Sequence, residues 1–218
     1  MKFALRRFLV FNRIPVAIVL FALGILLGVQ VSWWLGWIPM LIGVLTIVAH
    51  FFIGPMTLIQ TYVEAGDIEG ARALLNRVKK PQWLYKPVRS SYYMLRGNLS
   101  TMTDDLDTAE ADIRASLAAG LPEKEYEGAA LLQLGAISMK KGNMKDAYEH
   151  IQAAIKKGLP DEDSKASAFL QLSNILLQRR SYKGAKMYFA RAKSCKTKNA
   201  DIISQIKEMG TYMSRIPG

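Results

Sequence analysis

A six-residue turn recurs along this chain of 218 residues at intervals of 38 residues. Each copy has an apolar or aromatic residue at its third position and an alanine at its sixth, and the copies begin at Gly66, Asp104, Gly142 and Arg180. Self-similarity at a fixed period of this size is typical of repeat architectures. Because apolar residues at helical spacing flank the turns, each copy is predicted to join two short helices. Neither helix buries enough apolar surface alone, so the stacked units must share a continuous core.

Four positions of the repeat keep the same kind of residue from unit to unit. The first helix has a small residue, while the second opens with alanine, has a large apolar residue four positions later and closes with a small one. In that order the residues are Gly97, Gly135 and Ser173; Ala71, Ala109, Ala147 and Ala185; Leu75, Ile113, Ile151 and Phe189; and Ser116, Ala154 and Ala192. The small residues are expected where the two helices of a pair approach closely.

This pattern resembles the tetratricopeptide repeat (TPR) family. The resemblance covers about residues 56–194. It departs from the family in its period of 38 residues, where the family has about 34, and in its first unit, which has Ile59 and Val78 where small residues are expected. The resemblance implies an α-solenoid of helix pairs that binds peptide or protein segments in a groove lined by the first helices.

The repeat array is expected to span residues 56–198, with units near 56–80, 88–121, 125–159 and 163–194. The first helix of the first unit is expected at 56–65. Gly120 and Gly158 close units two and three, where a left-handed residue commonly ends a helix, and the prolines two positions later are expected to start the next helix. Residues 199–218 are predicted to form a capping helix and tail, because an open array end needs a cover.

The N-terminal part of the chain is apolar, with no charged residue from Ile14 to Val63. Two stretches within it approach the length needed to cross a bilayer, and the uncharged link between them carries tryptophans, which favour a membrane interface. The sequence predicts a transmembrane helical hairpin at 14–55 after a basic N-terminus at 1–13. A cleaved signal peptide and a hairpin that enters only one leaflet are the alternatives.

The predicted fold class is all-α: the two-helix transmembrane hairpin, a TPR-like α-solenoid of about four helix pairs and the C-terminal capping helix. The formal net charge is +11, and basic residues precede the first stretch and follow the second. By the positive-inside rule, both termini are expected in the cytoplasm. The predicted localisation is therefore integral to the membrane, namely a bacterial inner membrane.

No pattern typical of an enzyme occurs in the sequence. There is no phosphate-binding loop, no dinucleotide-binding glycine pattern and no His, Cys or carboxylate cluster at metal-ligand spacing. The single cysteine, Cys195, excludes an internal disulfide framework. We expect neither catalysis nor a cofactor or metal.

The family resemblance implies that a partner groove is lined by one face of the first helices. The residues at those positions are Met94, Asn98, Thr101, Leu132, Ala136, Met139, Leu170, Asn174 and Leu177. The groove would be mildly apolar and suited to a hydrophobic or helical segment. Asn98 and Asn174 would hold a peptide backbone through their amides, or they are merely exposed polar positions.

The strongest charge signal is the stretch 179–198, which has eight basic residues and no acidic one. The residues expected to form a basic surface are Arg179, Arg180, Lys183, Lys186, Arg191 and Lys193. Three interpretations remain open: a solvated face, contact with anionic lipid or an acidic partner, and RNA. RNA is disfavoured because the nearby Phe189 is a core position of the repeat.

The predicted function is that of a membrane-anchored scaffold or adaptor that binds a protein partner at the cytoplasmic face. The alternative is a structural accessory or assembly subunit of a membrane protein complex. Nucleic acid is not an expected partner.

Overall fold

A computed structural model of the protein describes residues 13–30, 33–52, 59, 62–63 and 65–216. The chain divides into two compact units, Met1–Tyr92 and Tyr93–Gly218. Every secondary-structure element in the described ranges is helical. The all-α part of the predicted fold class is therefore confirmed for these residues.

The first unit begins with two helices that pack against each other, α1 (Arg13–Gln30) and α2 (Trp33–Phe52). Their backbones are closest at glycines, since a Cβ atom added to Gly36 would lie 2.8 Å from the Cα atom of Gly28. The same atom would also collide with the carbonyl oxygen of Gly24. Small residues spaced one helical turn apart thus let this pair close tightly.

Within the described residues, no helix is both long enough and apolar enough to cross a membrane. The uncharged apolar part of α1, residues 14–29, is about 24 Å long, against about 30 Å for the hydrocarbon core of a bilayer. The longer helix α2 contains Pro39 and His50. The predicted transmembrane hairpin at 14–55, its two membrane spans and the integral membrane localisation are therefore wrong. The basic N-terminus predicted at 1–13 lies outside the described residues, apart from Arg13.

Large apolar side chains are exposed on the described parts of α1 and α2. They are Val16, Ile18, Val19, Leu23, Ile25, Leu26, Val29, Trp37, Ile38, Leu41, Ile42, Val44 and Leu45. Exposed apolar surface of this extent is typical of surfaces that contact another molecule.

The remainder of the first unit contains the second helix of the first repeat, α3 (Ile68–Asn76). The side chain of Asp67 caps α3 by accepting a hydrogen bond of 2.8 Å from the backbone N–H of Gly70. The partner helix predicted at 56–65 falls largely outside the described residues. A short 3₁₀ turn (Pro81–Trp83) then leads into α4 (Lys86–Met102), along which the chain passes into the second unit.

The second unit is a series of helix pairs. Its further helices are α5 (Leu106–Ala119), α6 (Lys124–Lys140), α7 (Met144–Lys157), α8 (Glu162–Gln178), α9 (Tyr182–Ser194) and α10 (Ala200–Met213). Helix α6 pairs with α7 and α8 with α9, while α5–α6, α7–α8 and α9–α10 contacts join successive pairs. The repeated helix–turn–helix units predicted from the sequence are confirmed.

The small residue of each first helix lies where the second helix approaches it. A Cβ atom at Gly135 would collide with the side chain of Ile151 and lie 3.4 Å from the carbonyl oxygen of Ala147. In the last pair the equivalent residue, Ser173, donates a hydrogen bond of 2.9 Å to the carbonyl oxygen of Ala185. Hence the position demands a small side chain, and a hydroxyl there can bond to the neighbouring backbone.

The recurring turn has one conformation in all four copies. The residue that opens each turn has a positive φ, and the four values are 74° at Gly66, 59° at Asp104, 79° at Gly142 and 57° at Arg180. This left-handed conformation is free for glycine and costly for other residues. The period of 38 residues is therefore a backbone repeat as well as a side-chain repeat.

Helix ends differ slightly from the prediction. Gly120 and Gly158 do have positive φ, 85° and 101°, but the next helices begin two residues after the prolines, at Lys124 and Glu162. For α8, the carboxylate of Asp161 caps the helix by accepting a hydrogen bond of 2.6 Å from the N–H of Ser164. Carboxylates at a helix N-terminus accept hydrogen bonds from free N–H groups and interact favourably with the helix dipole.

Polar contacts also join successive pairs. The ammonium group of Lys141 lies 2.6 Å from the carboxylates of both Asp107 and Glu110 in the preceding pair. The guanidinium of Arg179 donates a hydrogen bond of 2.9 Å to the carbonyl oxygen of Met144. Both basic residues follow the end of a first helix and contact the turn region of the unit before, so these contacts help to set the register of the stack.

Candidate functional site

The first helices of the last units lie side by side. Helix α8 contacts α6 on one side and α10 on the other. Between α8 and α10 an open cleft of about 580 Å³ is lined by Asn174, Leu177, Gln178, Gln205, Glu208, Met209 and Tyr212. We call this cleft the first-helix groove. Its size is within the range of clefts that hold ligands, about 300–1,000 Å³.

Two residues of the predicted partner groove line this cleft. Asn174 is exposed, so its amide is free to donate and accept hydrogen bonds at the groove wall. Leu177 is half-buried, since its side chain packs against the core around Phe189 while another part faces the cleft. At the C-terminal end of the array these two predicted residues therefore lie at a cleft, and their role in binding stays a prediction.

Leu170 has a different place from the one expected of a groove residue. Its side chain is only 3% exposed and belongs to a core cluster with Ala185, Phe189 and Met213. Apolar residues of α10 pack against this cluster, so the last helix covers the end of the array where Leu170 lies. A polar residue at this position would disrupt the core before it affected any ligand.

The remaining predicted groove residues are partly buried. Met94 and Leu132 each pack against the core of their unit, as does Met139. Thr101 donates a hydrogen bond of 2.9 Å from its hydroxyl to the carbonyl oxygen of Gly97, which leaves the oxygen free to accept. Asn98 and Ala136 are half-buried on the same helix faces.

Helix α10 contributes more to the groove than sequence analysis expected. It was predicted as a cap, and Asn199 does cap it, accepting a hydrogen bond of 2.9 Å from the N–H of Asp201. The same helix supplies Gln205, Glu208, Met209 and Tyr212 to the groove wall. Tyr212 is exposed in the structure, and the sequence alone gives no pattern that distinguishes it from the other residues of the cap.

The predicted basic residues differ in their surroundings, and their role as one basic surface stays a prediction. Arg179 is engaged with the backbone of Met144, and Lys186 donates a hydrogen bond of 3.0 Å to the carbonyl oxygen of Ile216. Arg180 is exposed at the left-handed turn position, and Lys183 is exposed on α9. Lys193 is exposed with its ammonium 6.0 Å from the Phe189 ring.

A second cleft, of about 460 Å³, lies between the second helices α7 and α9. It is lined by Glu149, Gln152, Ala153, Ile155, Lys156, Tyr188 and Arg191, and we call it the second-helix groove. Of the predicted basic residues, Arg191 alone lines it. Sequence analysis missed this cleft because its two walls are about one repeat apart in the chain.

An aromatic cluster supports the second-helix groove. The Tyr188 ring stacks on Phe169 with their centroids 6.2 Å apart, and the Arg191 guanidinium lies 5.6 Å from the Tyr188 centroid. The amide of Gln152 donates hydrogen bonds to the phenol oxygens of Tyr148, at 2.7 Å, and Tyr188, at 3.4 Å. Burial raises the pKa of the Tyr148 phenol, and the neighbouring Tyr188 raises it further against the opposing charge of Arg179.

Reactive groups are not assembled around either cleft. Burial raises the pKa of the Cys195 thiol, which disfavours the nucleophilic thiolate. Across the described part of the chain, no group of three or more His, Cys, Asp or Glu residues is placed to hold a metal ion.

No family model matches the sequence, and no curated protein matches it. Solved structures do resemble the fold. YrrB, described as "a TPR protein with an unusual peptide-binding site", is 18% identical over 74% of this chain and 77% of that chain, with a TM-score of 0.52. MamA is 16% identical over 93% and 98%, with a TM-score of 0.54. BtubC from P. vanneervenii is 15% identical over 94% and 85%, with a TM-score of 0.58.

These likenesses agree with the helix pairs, the small residues at their crossings and the repeated turn. The protein therefore has a TPR-like fold.

Proposed function

We propose that the protein is a scaffold that binds a segment of a partner protein in the first-helix groove. The observation that carries the proposal is the open cleft between α8 and α10, which brings Asn174 and Leu177 together with Tyr212. TPR-like arrays expose such surfaces because successive first helices lie side by side. The action is binding, and no chemical step is part of it.

The chemistry of the groove suits a segment with both apolar and polar contacts. Leu177 and Met209 offer apolar surface. The side-chain amides of Asn174, Gln178 and Gln205 can form hydrogen bonds with a peptide backbone or with polar side chains. Tyrosine at the wall adds a large contact area at little entropic cost. We therefore propose a hydrophobic or helical segment, continuing along the first helices past Ala136, Met139, Asn98 and Thr101.

The similarity to YrrB, which is described as having a peptide-binding site, supports a peptide or protein ligand for this fold. At 18% identity the likeness concerns the fold, so the site in this chain is argued from its own residues.

Site-specific photo-crosslinking in cells tests this proposal. A photo-reactive amino acid would replace Gln178, at the groove wall, or Lys207, an exposed residue of α10 outside the groove. We expect a defined protein to crosslink from position 178 alone. Tyr212→Ala should abolish the crosslink, because it removes part of the groove wall. The core should stay intact, because the Tyr212 side chain is exposed. Equal crosslinking from both positions, or a crosslink that survives Tyr212→Ala, would contradict the proposal.

A second candidate function is favoured by the exposed apolar surface of α1 and α2. A structural subunit of a larger protein assembly would cover such a surface with helices of another protein. In this case, replacing Val19, Leu23 and Leu26 with polar residues would release the chain from its assembly, as measured by the size of the native complex. Tyr212→Ala would leave that complex unchanged, which distinguishes the two functions.

A further inference from the structure

We infer that the second-helix groove is a separate docking site for an acidic, partly apolar segment of a protein. It lies between α7 and α9, whereas the first-helix groove lies between α8 and α10, and the two clefts share no lining residue. The inference therefore stands independently of the proposed function.

The groove carries two basic groups without acidic partners. No carboxylate of the described residues lies within ion-pair distance of Lys156 or Arg191, whereas the adjacent Lys157 is paired with Glu127. The single acidic residue of the lining, Glu149, has no ion-pair partner within the described residues either. The α9 wall belongs to the stretch 179–198, which has no acidic residue. The local charge is thus positive, and a carboxylate ligand would find two free cations.

The guanidinium of Arg191 is already oriented by the aromatic cluster. It lies over the Tyr188 ring, which is itself fixed by stacking on Phe169 and by the Gln152 hydrogen bond. An arginine whose guanidinium lies near an aromatic ring can still donate its N–H groups to a carboxylate in a bidentate contact. The Arg191 side chain would therefore lose less conformational entropy on binding a carboxylate than an unconstrained arginine would, and this favours binding.

The apolar floor of the groove indicates which ligand side chains would accompany the carboxylates. Ala153 and Ile155 contribute apolar surface to the lining. A segment that alternates acidic and apolar residues would place carboxylates at Arg191 and Lys156 and apolar side chains on the floor. A nucleic acid fits less well, because the Tyr188 ring is stacked on Phe169 and lies against the Arg191 guanidinium, which leaves little of its face for a base to stack on.

Fluorescence anisotropy with the full-length protein tests the inference. The probe is a labelled peptide of about twelve residues that alternates Glu and Leu, which in extended form reaches beyond both ends of the groove, beside a peptide with Gln in place of Glu. We expect saturable binding of the acidic peptide alone, weakened by added salt because the contacts are ionic. The double variant Lys156→Gln with Arg191→Gln should weaken it on the order of tenfold.

The matched control is Lys183→Gln with Lys207→Gln, which removes the same charge from exposed positions outside both grooves. We expect this control, and Tyr212→Ala in the first-helix groove, to leave the affinity for the acidic peptide unchanged. Three outcomes would overturn the inference: equal weakening by the control pair, equal binding of the Gln peptide, or a single-stranded oligonucleotide that displaces the acidic peptide and depends on the same two residues. Failure of the crosslink from position 178 would concern the proposed function alone.

Discussion

Replacing Gly128 with alanine should destabilise the second unit through a backbone collision. Gly128 lies near the start of α6, and a Cβ atom there would be 1.8 Å from the carbonyl oxygen of Gly158 and 3.1 Å from that of Ala154. Carbon and oxygen atoms in ordinary contact are about 3.5 Å apart. The chain at Gly158 must therefore move by about 1.7 Å, and it cannot do so by rotating a side chain.

The size of the effect follows from what this movement displaces. Overpacking in a core costs about 1–3 kcal/mol, and a backbone obstacle places Gly128→Ala at the upper end. The next residue, Leu159, is 6% exposed in the core, and shifting it forfeits part of the roughly 1.5–3 kcal/mol that a buried leucine contributes. In the opposite direction, the higher helix propensity of alanine relative to glycine stabilises the variant by about 1 kcal/mol. We expect a net loss of about 2–3 kcal/mol.

Thermal unfolding followed by circular dichroism measures this loss. For a chain of this size each kcal/mol shifts Tm by about 2–4 °C, so Tm should fall by about 5–10 °C. The control is Gly210→Ala in α10, where the nearest atom would be on the Phe189 ring at 3.3 Å. That ring can give way, so the control should keep or raise Tm. If Gly128→Ala behaved like Gly210→Ala, the close approach of α6 to the end of α7 would be refuted.

Three further predictions concern stability. Arg180→Gly should raise the free energy of unfolding by about 0.5–1 kcal/mol in urea denaturation, because glycine relieves the left-handed strain at φ 57°. A decrease would show that the turn depends on the arginine side chain. Hydrogen bonds from Lys141 hold the pKa values of Asp107 and Glu110 below their usual range, so their contribution is present at neutral pH and lost as pH falls through the folded-state values. A Lys141→Met variant should accordingly lose less stability between neutral and acidic pH than the parent, and an unchanged pH dependence would contradict this. Gln133→Met should raise Tm slightly, since the side-chain amide oxygen of Gln133 is buried without a hydrogen-bond partner. Leaving such a group unpaired costs about 1–3 kcal/mol of stability. A fall in Tm would indicate that water or another donor forms a hydrogen bond with it.

Two binding surfaces on opposite sets of helices would let one chain hold two proteins. The first-helix groove has amide and apolar residues at its walls, while the second-helix groove presents unpaired cations around an apolar floor. Because the clefts share no residue, variants at one can be assayed without disturbing the other. This separation makes the scaffold proposal and the acidic-segment inference testable in one protein preparation.

The sequence by itself determined the repeated helix pairs, because their signals are local. The spacing of alanines and large apolar residues sets the buried stripe of each helix, and the turn that begins at Gly142 has the same conformation at Asp104 and Arg180 although neither of these is glycine. Small residues such as Gly135 indicated where helices cross, and the structure confirms this contact with Ile151. Local patterns were misleading in the N-terminal segment, where apolar composition predicted membrane spans that the described helices do not provide.

Tertiary structure decided which faces remain open. Leu170 and Asn174 are one helical turn apart and were equivalent groove candidates, yet α10 and the core around Phe189 bury the first and leave the second exposed. The need for glycine at residue 128 likewise depends on Gly158, which is distant in sequence and adjacent in space. Both grooves, and the close approach at Gly128, are built from residues nearly a full repeat or more apart, so they follow from how the helices stack, whereas the helices themselves follow from neighbours within a few residues.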